Sequence, residues 1–223
     1  MRARFIVGVA VVGMLLMTGT AGATLPPPRF AHSVDIGLVS GTVLVTPPGG
    51  RPFTLGSQDR SIPTGSLIDT THGRVDLRAA PPPIPVAPSA HLVSGSQIQD
   101  AQFYDGAFRV TQSQSSPVAQ IRLAGGNTSA CGAPNIGLAP HRRPPHQVVR
   151  LLRASGPGKF ETVGRYSAAT VLGTQWLTED FCDGTLVRVV QGVVVVRNLA
   201  TGATTTVHAG HSVFTPAVTA APH

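Results

Sequence analysis

The chain has few charged side chains and almost no glutamate or lysine. Charged residues make up 12% of its 223 residues, Glu161 and Glu179 are the two glutamates, and Lys159 is the one lysine. The sequence contains no G-x-S-x-G, no H-E-x-x-H, no complete phosphate loop and no dinucleotide fingerprint. These absences predict a protein that is not an enzyme; a secreted hydrolase with an unrecognised site is the alternative.

Cysteine is also scarce, with Cys131 and Cys182 as the two copies. Neither belongs to a C-x-x-C motif or has a histidine beside it, so we expect no metal site and no cofactor. Glu179, Asp180 and Asp183 flank Cys182 and are interpreted as turn residues rather than calcium ligands. An even count in an exported chain favours a disulfide between Cys131 and Cys182; two separate buried thiols are the alternative.

Long apolar runs are missing after the first 17 residues. Residues 1–23 start with two arginines, continue with an apolar stretch from Phe5 to Met17, and end in Ala21-Gly22-Ala23. This is the pattern of a cleaved secretory signal peptide. An uncleaved anchor is the alternative, although 13 apolar residues are short for a membrane span. We therefore expect a secreted or extracytoplasmic protein, associated with the cell wall or free, that contacts the membrane only if the signal segment is kept.

Turn-forming residues are abundant, with 25 glycines and 20 prolines. They separate short runs of β-forming residues, which predicts an all-β fold: a sandwich, a rolled sheet of short strands or a short β-helix. Hairpins are predicted around His72-Gly73 and Asp105-Gly106, and Gly173 is expected to separate two strands. The predicted organisation is a linker at 24–33, a β half at 34–112, a loop-rich Pro/Gly-rich middle at 113–158, a second β half at 159–215, and a tail at 216–223.

The charge balance is basic, with a formal net charge of +7. Between residues 106 and 160 the chain has seven basic residues and no acidic one. An exported basic protein meets anionic polymers of the cell surface rather than nucleic acid, so a polyanion- or wall-binding site in segment 141–159 is one hypothesis; an ordinary solvated loop is the other. The candidate polyanion contacts are Arg142, Arg143, Arg150, Arg153 and Lys159.

An internal repeat links the two β halves. Residues 39–45 read V-S-G-T-V-L-V and residues 190–196 read V-Q-G-V-V-V-V. Each is followed by a glycine-containing turn, an apolar return arm and a further glycine. Such a repeat is expected to form one supersecondary unit in each half, unless valine and glycine match here by chance.

The repeat, with the residues around it, resembles the FecR-like domains of exported actinobacterial proteins. The first half carries Gly41-Thr42-Val43-Leu44-Val45 followed by Gly65-Ser66-Leu67-Ile68-Asp69-Thr70. The second carries Val171-Leu172-Gly173-Thr174-Gln175-Trp176, then residues 187–196 and Ala209-Gly210.

The resemblance implies a FecR-like β-sandwich or rolled sheet that binds an unknown protein or wall polymer. FecR regulators also have a cytoplasmic segment and a membrane span; we expect neither in this chain, so their regulatory role does not carry over. The sequence therefore predicts a non-catalytic cell-surface module for binding, sensing or scaffolding, with its ligand and oligomeric state open.

Overall fold

A computed structural model describes residues 25–82, 98–116, 118–127, 131 and 147–217. The signal segment, the proline-rich stretch at 83–97, Arg142 and Arg143, and the end of the tail lie outside the described residues. No helix in the part described is long and apolar enough to cross a membrane.

Thirteen β-strands make up the described chain, which confirms the all-β prediction. They are β1 (Ser33–Thr46), β2 (Phe53–Thr54), β3 (Arg60–Pro63), β4 (Leu67–Ala79), β5 (Gln99–Tyr104), β6 (Ala107–Thr111), β7 (Ala119–Ala124), β8 (Val148–Val163), β9 (Ser167–Phe181), β10 (Gly184–Gln191), β11 (Val193–Asn198), β12 (Thr204–His208) and β13 (Ser212–Pro216). All described pairings are antiparallel except that of β7 with β8. A β-helix stacks parallel strands, so that alternative is excluded.

Four long strands, β1, β4, β8 and β9, bend in the middle and run through two layers of one rolled sheet. Arg165 lies just before the start of β9 and Asp180 near the end of that strand, yet the Arg165 amide nitrogen is 2.9 Å from Asp180 Oδ1. A straight strand of this length would separate those groups by about 50 Å. The strand therefore folds back on itself, and its two halves belong to different layers.

The first layer contains the outer halves of the long strands and four shorter ones. Its order is β3, the start of β1, the end of β4, β5, the start of β8, the end of β9, β10 and β13. The second layer runs β2, the end of β1, the start of β4, β6, β7, the end of β8, the start of β9, β11 and β12.

Glycines stand where the strands turn from one layer to the other. Gly41 in β1, Gly173 in β9 and Gly192 between β10 and β11 all have positive φ, at 71°, 64° and 83°. Residues with a Cβ disfavour that conformation. At the β1–β4 crossing the two chains also touch, because a Cβ on Gly41 would lie 2.2 Å from the carbonyl oxygen of His72.

Three sites that were predicted to be turns or breaks between strands are instead corners where strands bend, so these predictions were wrong. His72-Gly73 is not a hairpin turn, since β4 runs through it from Leu67 to Ala79. Asp105-Gly106 does not fold β5 onto β6: both strands pair with β4, and the dipeptide forms the corner between them, with Asp105 at φ 63°. Gly173 bends β9 without ending it. Residues that favour turns in a sequence also favour the corners of bent strands.

The internal repeat corresponds to a repeated structure. In β1 the glycine corner divides the strand; the part after it pairs with β2 and the part before it with β3. In the second copy, β11 after the Gly192 corner pairs with β12, and β10 before it pairs with β13. A long bent strand, β4 or β9, covers the other side in each copy.

The core lies between the layers and joins both halves of the chain. Phe103 of β5 is fully buried at its centre, with ring centroids 5.1 Å from Phe108, 5.5 Å from Phe160 and 6.3 Å from Trp176. Valines, isoleucines and leucines from both copies of the repeat belong to the same cluster. The predicted middle segment contributes β7 and most of β8, so it is part of this sheet where it is described.

Substituting Gly41 tests the importance of the corner. We expect Gly41→Ala to lower the free energy of unfolding by more than about 2 kcal/mol, because a left-handed residue with a Cβ costs about 1–2 kcal/mol and the methyl group also meets the His72 carbonyl. Gly202→Ala is the control, since Gly202 has φ 75° but no atom within 4 Å of an added Cβ. Chemical denaturation of both variants measures the difference; equal losses would contradict the packing argument.

Candidate ligand-binding cleft

A buried carboxylate organises the end of the sheet where β9 returns to its own start. Asp180 is 1% exposed. Its oxygens accept hydrogen bonds from the Arg165 amide at 2.9 and 3.0 Å, from Thr185 Oγ1 at 2.6 Å and from Arg150 Nε at 2.7 Å. Such complete hydrogen bonding offsets the cost of burying the charge.

The Asp180 contacts fix the conformation of the β8–β9 turn. Thr185 Oγ1, which donates to Asp180, also accepts the amide of Tyr166 at 3.0 Å. The carbonyl of Tyr166 accepts the amide of Leu199 in the β11–β12 turn at 3.0 Å. Two turns of the second layer are thereby attached to a side chain of the first.

These two turns and the end of β13 enclose a cleft of about 220 Å³. Its lining residues are Arg165, Tyr166, Asn198, Leu199, Ala200 and Pro216. Arg165 is exposed, and its guanidinium carbon lies 5.3 Å from the centroid of the Tyr166 ring. The cleft therefore combines a cation, an aromatic surface and small apolar groups.

The polar groups of the cleft are mainly donors. Asn198 Oδ1 already accepts the amides of Ala200 and Thr201, at 2.8 and 3.2 Å. The structure gives the Arg165 guanidinium no ion pair with an acidic residue among those described. An arrangement of this kind suits a ligand with a carboxylate or another planar anionic group, which accepts paired hydrogen bonds from a guanidinium.

Sequence reasoning missed this cleft. Arg165 and Tyr166 come from a three-residue turn with no motif, and Asn198 lies at the end of a strand more than 30 residues later. Asp180 was interpreted as a turn residue, and this was wrong because its side chain faces inward on the same side of β9 as Trp176. No signal in the sequence brings these residues together before the bend in β9 is known.

The predicted disulfide is confirmed and lies at the same end. Cys131 and Cys182 are bonded, with their Cα atoms 5.0 Å apart, and both are buried. Cys182 follows β9 in a two-residue turn that leads to Gly184 of β10. The bridge attaches residue 131 of the middle segment to this turn and closes a loop of 51 residues, for which chain entropy predicts about 4 kcal/mol of stabilisation.

The structure describes three of the five predicted polyanion contacts, and two of these three form ion pairs within the fold. Arg150 is held by buried Asp180, and Arg153 pairs with Asp105 at 3.0 Å. Lys159 is exposed on β8 and has no ion pair with a described residue. Arg142 and Arg143 lie outside the described residues. Of the three described candidates, Lys159 alone keeps its charge unneutralised.

A second charged cluster lies on the outer face of the first layer, around Arg78. Arg78 pairs with Asp59 and lies 3.9 Å from Asp76. Asp35 beside them is 3% exposed, and its Oδ1 has no hydrogen-bond partner in the described chain. Burial raises the pKa of Asp35, although Ser61 and Arg78 oppose the shift, and burial also raises the pKa of Asp76. The ionised form of Asp35 is therefore costly in the folded state.

The described residues contain no group of three or more histidines, cysteines and carboxylates placed to hold a metal ion. No protein-family model matches the chain, and neither a curated protein nor a solved structure matches it.

Replacing Asp180 tests its structural role. We expect Asp180→Asn to lower the free energy of unfolding by about 3 kcal/mol or more, because Arg150 then lacks its charge partner in a largely buried position. Asp105→Asn is the matched control; its ion pair with Arg153 is about half exposed, so the loss should stay below about 1 kcal/mol. Equal losses in urea denaturation would refute the anchoring role.

The raised pKa of Asp35 predicts that neutralising this side chain stabilises the folded protein, by an amount that depends on pH. Because the folded state disfavours the ionised form, the cost of ionising Asp35 is complete above its raised pKa, declines as pH falls through that value, and is gone below the ordinary aspartate pKa of 3.8. Asp35→Asn should therefore raise the melting temperature at pH 7 and lose this advantage near pH 3.5. A variant less stable than the parent at pH 7 would contradict this.

Proposed function

We propose that this protein is an exported, non-catalytic binding module of the cell surface, and that it binds a carboxylate-bearing ligand in the Arg165 cleft. The observation that carries the proposal is the exposed guanidinium of Arg165 beside the face of Tyr166, on a turn held by buried Asp180. Because the turn is already fixed, binding an anion orders the Arg165 side chain but not the backbone that carries it, which lowers the entropic cost of binding.

The side chains that line the cleft suit ligand binding better than catalysis. Its described lining has an arginine, a tyrosine and an asparagine as polar side chains, with leucine, alanine and proline around them. Arginine stays protonated throughout the physiological pH range, so it orients and neutralises an anion rather than exchanging protons with it. The proposal therefore assigns these residues to ligand recognition.

Anionic polymers of the cell surface are the ligand class we propose. The sequence-based hypothesis used segment 141–159, but Arg150 and Arg153 are engaged in ion pairs within the fold. Arg165 supplies a cation without such a partner in the described chain. A sugar ring that carries a carboxylate matches both an arginine and an aromatic surface.

The export and FecR-like parts of the proposal rest on other features. The signal-like segment 1–23 and the Cys131–Cys182 bridge support an oxidising, extracytoplasmic location. The repeated glycine-corner unit corresponds to the sequence repeat on which the FecR-like resemblance rests. Sensing and scaffolding both require a binding surface, and the Arg165 cleft is the surface we assign to it.

Binding to polygalacturonate, which carries one carboxylate per sugar, tests the proposal, with neutral dextran as the reference polymer. The mature chain should bind the acidic polymer in affinity electrophoresis, and added salt should weaken binding because ions screen exposed charges. Arg165→Ala should weaken binding about tenfold, which corresponds to the loss of one charge-assisted hydrogen-bonded contact.

Arg51→Ala is the matched control, since Arg51 is exposed in the β1–β2 turn, at the opposite edge of the second layer from the β11–β12 turn that lines the cleft. It removes the same charge and should leave binding nearly unchanged. Equal losses for the two variants would show a general charge effect and refute the cleft. Binding of dextran as strong as that of polygalacturonate would refute the carboxylate.

A further inference from the structure

A second cavity of about 180 Å³ lies where the two halves of the chain meet and shares no lining residue with the Arg165 cleft. It is formed by the residues that follow β4, the first residue of β5, the start of β7 and the bend of β8. Alanine, proline and valine side chains make up most of the lining, and the polar members are Gln99, Gln112 and Lys159. The cavity is thus mainly apolar with one cation.

Hydrogen bonds hold its walls in place. Gln112 is 6% exposed; its Oε1 accepts the amide of Ala31 at 3.2 Å, and its Nε2 donates to the carbonyl of Ala80 at 2.8 Å. Elsewhere in the lining the amide of Lys159 donates to Gln99 Oε1 at 2.7 Å. Since these contacts involve the fold itself, the cavity exists before a ligand enters, as small-molecule sites usually do.

The cavity size limits the ligand. A protein cavity of about 150 Å³ lined by aliphatic and aromatic groups holds one benzene molecule. A volume of about 180 Å³ therefore accommodates a benzene-sized apolar body with a small polar substituent. Longer chains or whole sugars exceed it.

The charge of Lys159 limits the ligand further. Lys159 is exposed, has no ion pair with a described residue, and is the one charged side chain in the described lining. No acidic group there opposes an anion. An apolar cavity with a single ammonium group in its lining suits a ligand that is a small apolar carboxylic acid in its ionised form.

We propose that this cavity binds a small apolar carboxylate, with its hydrocarbon part against the alanine and proline walls and its carboxylate at the Lys159 ammonium. The site is separate from the Arg165 cleft and differs from it in ligand size and polarity. The Lys159 that the sequence assigned to a polyanion surface would serve here as the anion contact for a small molecule.

Benzoate and its neutral analogue benzamide test the proposal, because they share a ring and differ in charge. In calorimetric or NMR titration of the mature protein, benzoate should bind about tenfold more tightly than benzamide, the difference expected of one charge-assisted contact. Lys159→Met keeps the aliphatic stem and removes the charge. This variant should bind benzoate as weakly as benzamide, while its benzamide affinity stays the same.

Two further variants keep the test independent of folding. Val118→Phe places a larger side chain at a half-buried lining position of the cavity and should abolish binding of both compounds, with circular dichroism confirming the fold. Arg51→Ala, which removes an exposed charge elsewhere, should change neither affinity. Equal affinities for benzoate and benzamide in the parent protein, or undiminished benzoate binding by Lys159→Met, would overturn the proposal.

Discussion

The end of the sheet where β9 returns to its own start depends on one buried carboxylate. Asp180 lies near the end of β9, and its oxygens receive the amide of Arg165 from before the start of the same strand. This contact ties the end of β9 to the turn just before its start and so fixes the separation of the two layers at that end. The turn that carries Arg165 and Tyr166 inherits its position from Asp180, so the geometry of the proposed cleft follows from the closure of the sheet.

Glycine makes the closure possible. A strand that belongs to two layers needs a sharp change of direction in its middle, and Gly41, Gly173 and Gly192 supply positive φ values at those points. At the β1–β4 crossing the absent side chain also lets two backbones approach each other. The same device occurs in both copies of the repeat, so one solution for bending a strand is used on both sides of the molecule.

The sequence predicted the class of fold, the disulfide and the repeat, because alternation, cysteine count and motif spacing are local or countable properties. It did not predict the bends, since glycine and Asp-Gly favour turns and strand corners alike. The cleft was beyond sequence reasoning for a related reason. Arg165 and Asn198 meet only after β9 doubles back, and Arg150 was assigned to a surface because its inward direction depends on the register with Asp180.

Because the long strands are shared between the two layers, they determine how the protein unfolds. In a sandwich of two separate sheets, one sheet can detach while the other keeps its hydrogen bonds. Here β1, β4, β8 and β9 each contribute to both layers, so separating one layer pulls directly on the backbone of the other. The natural unit of opening is therefore the whole sheet, and local fluctuations are restricted to the short outer strands β2, β3, β12 and β13.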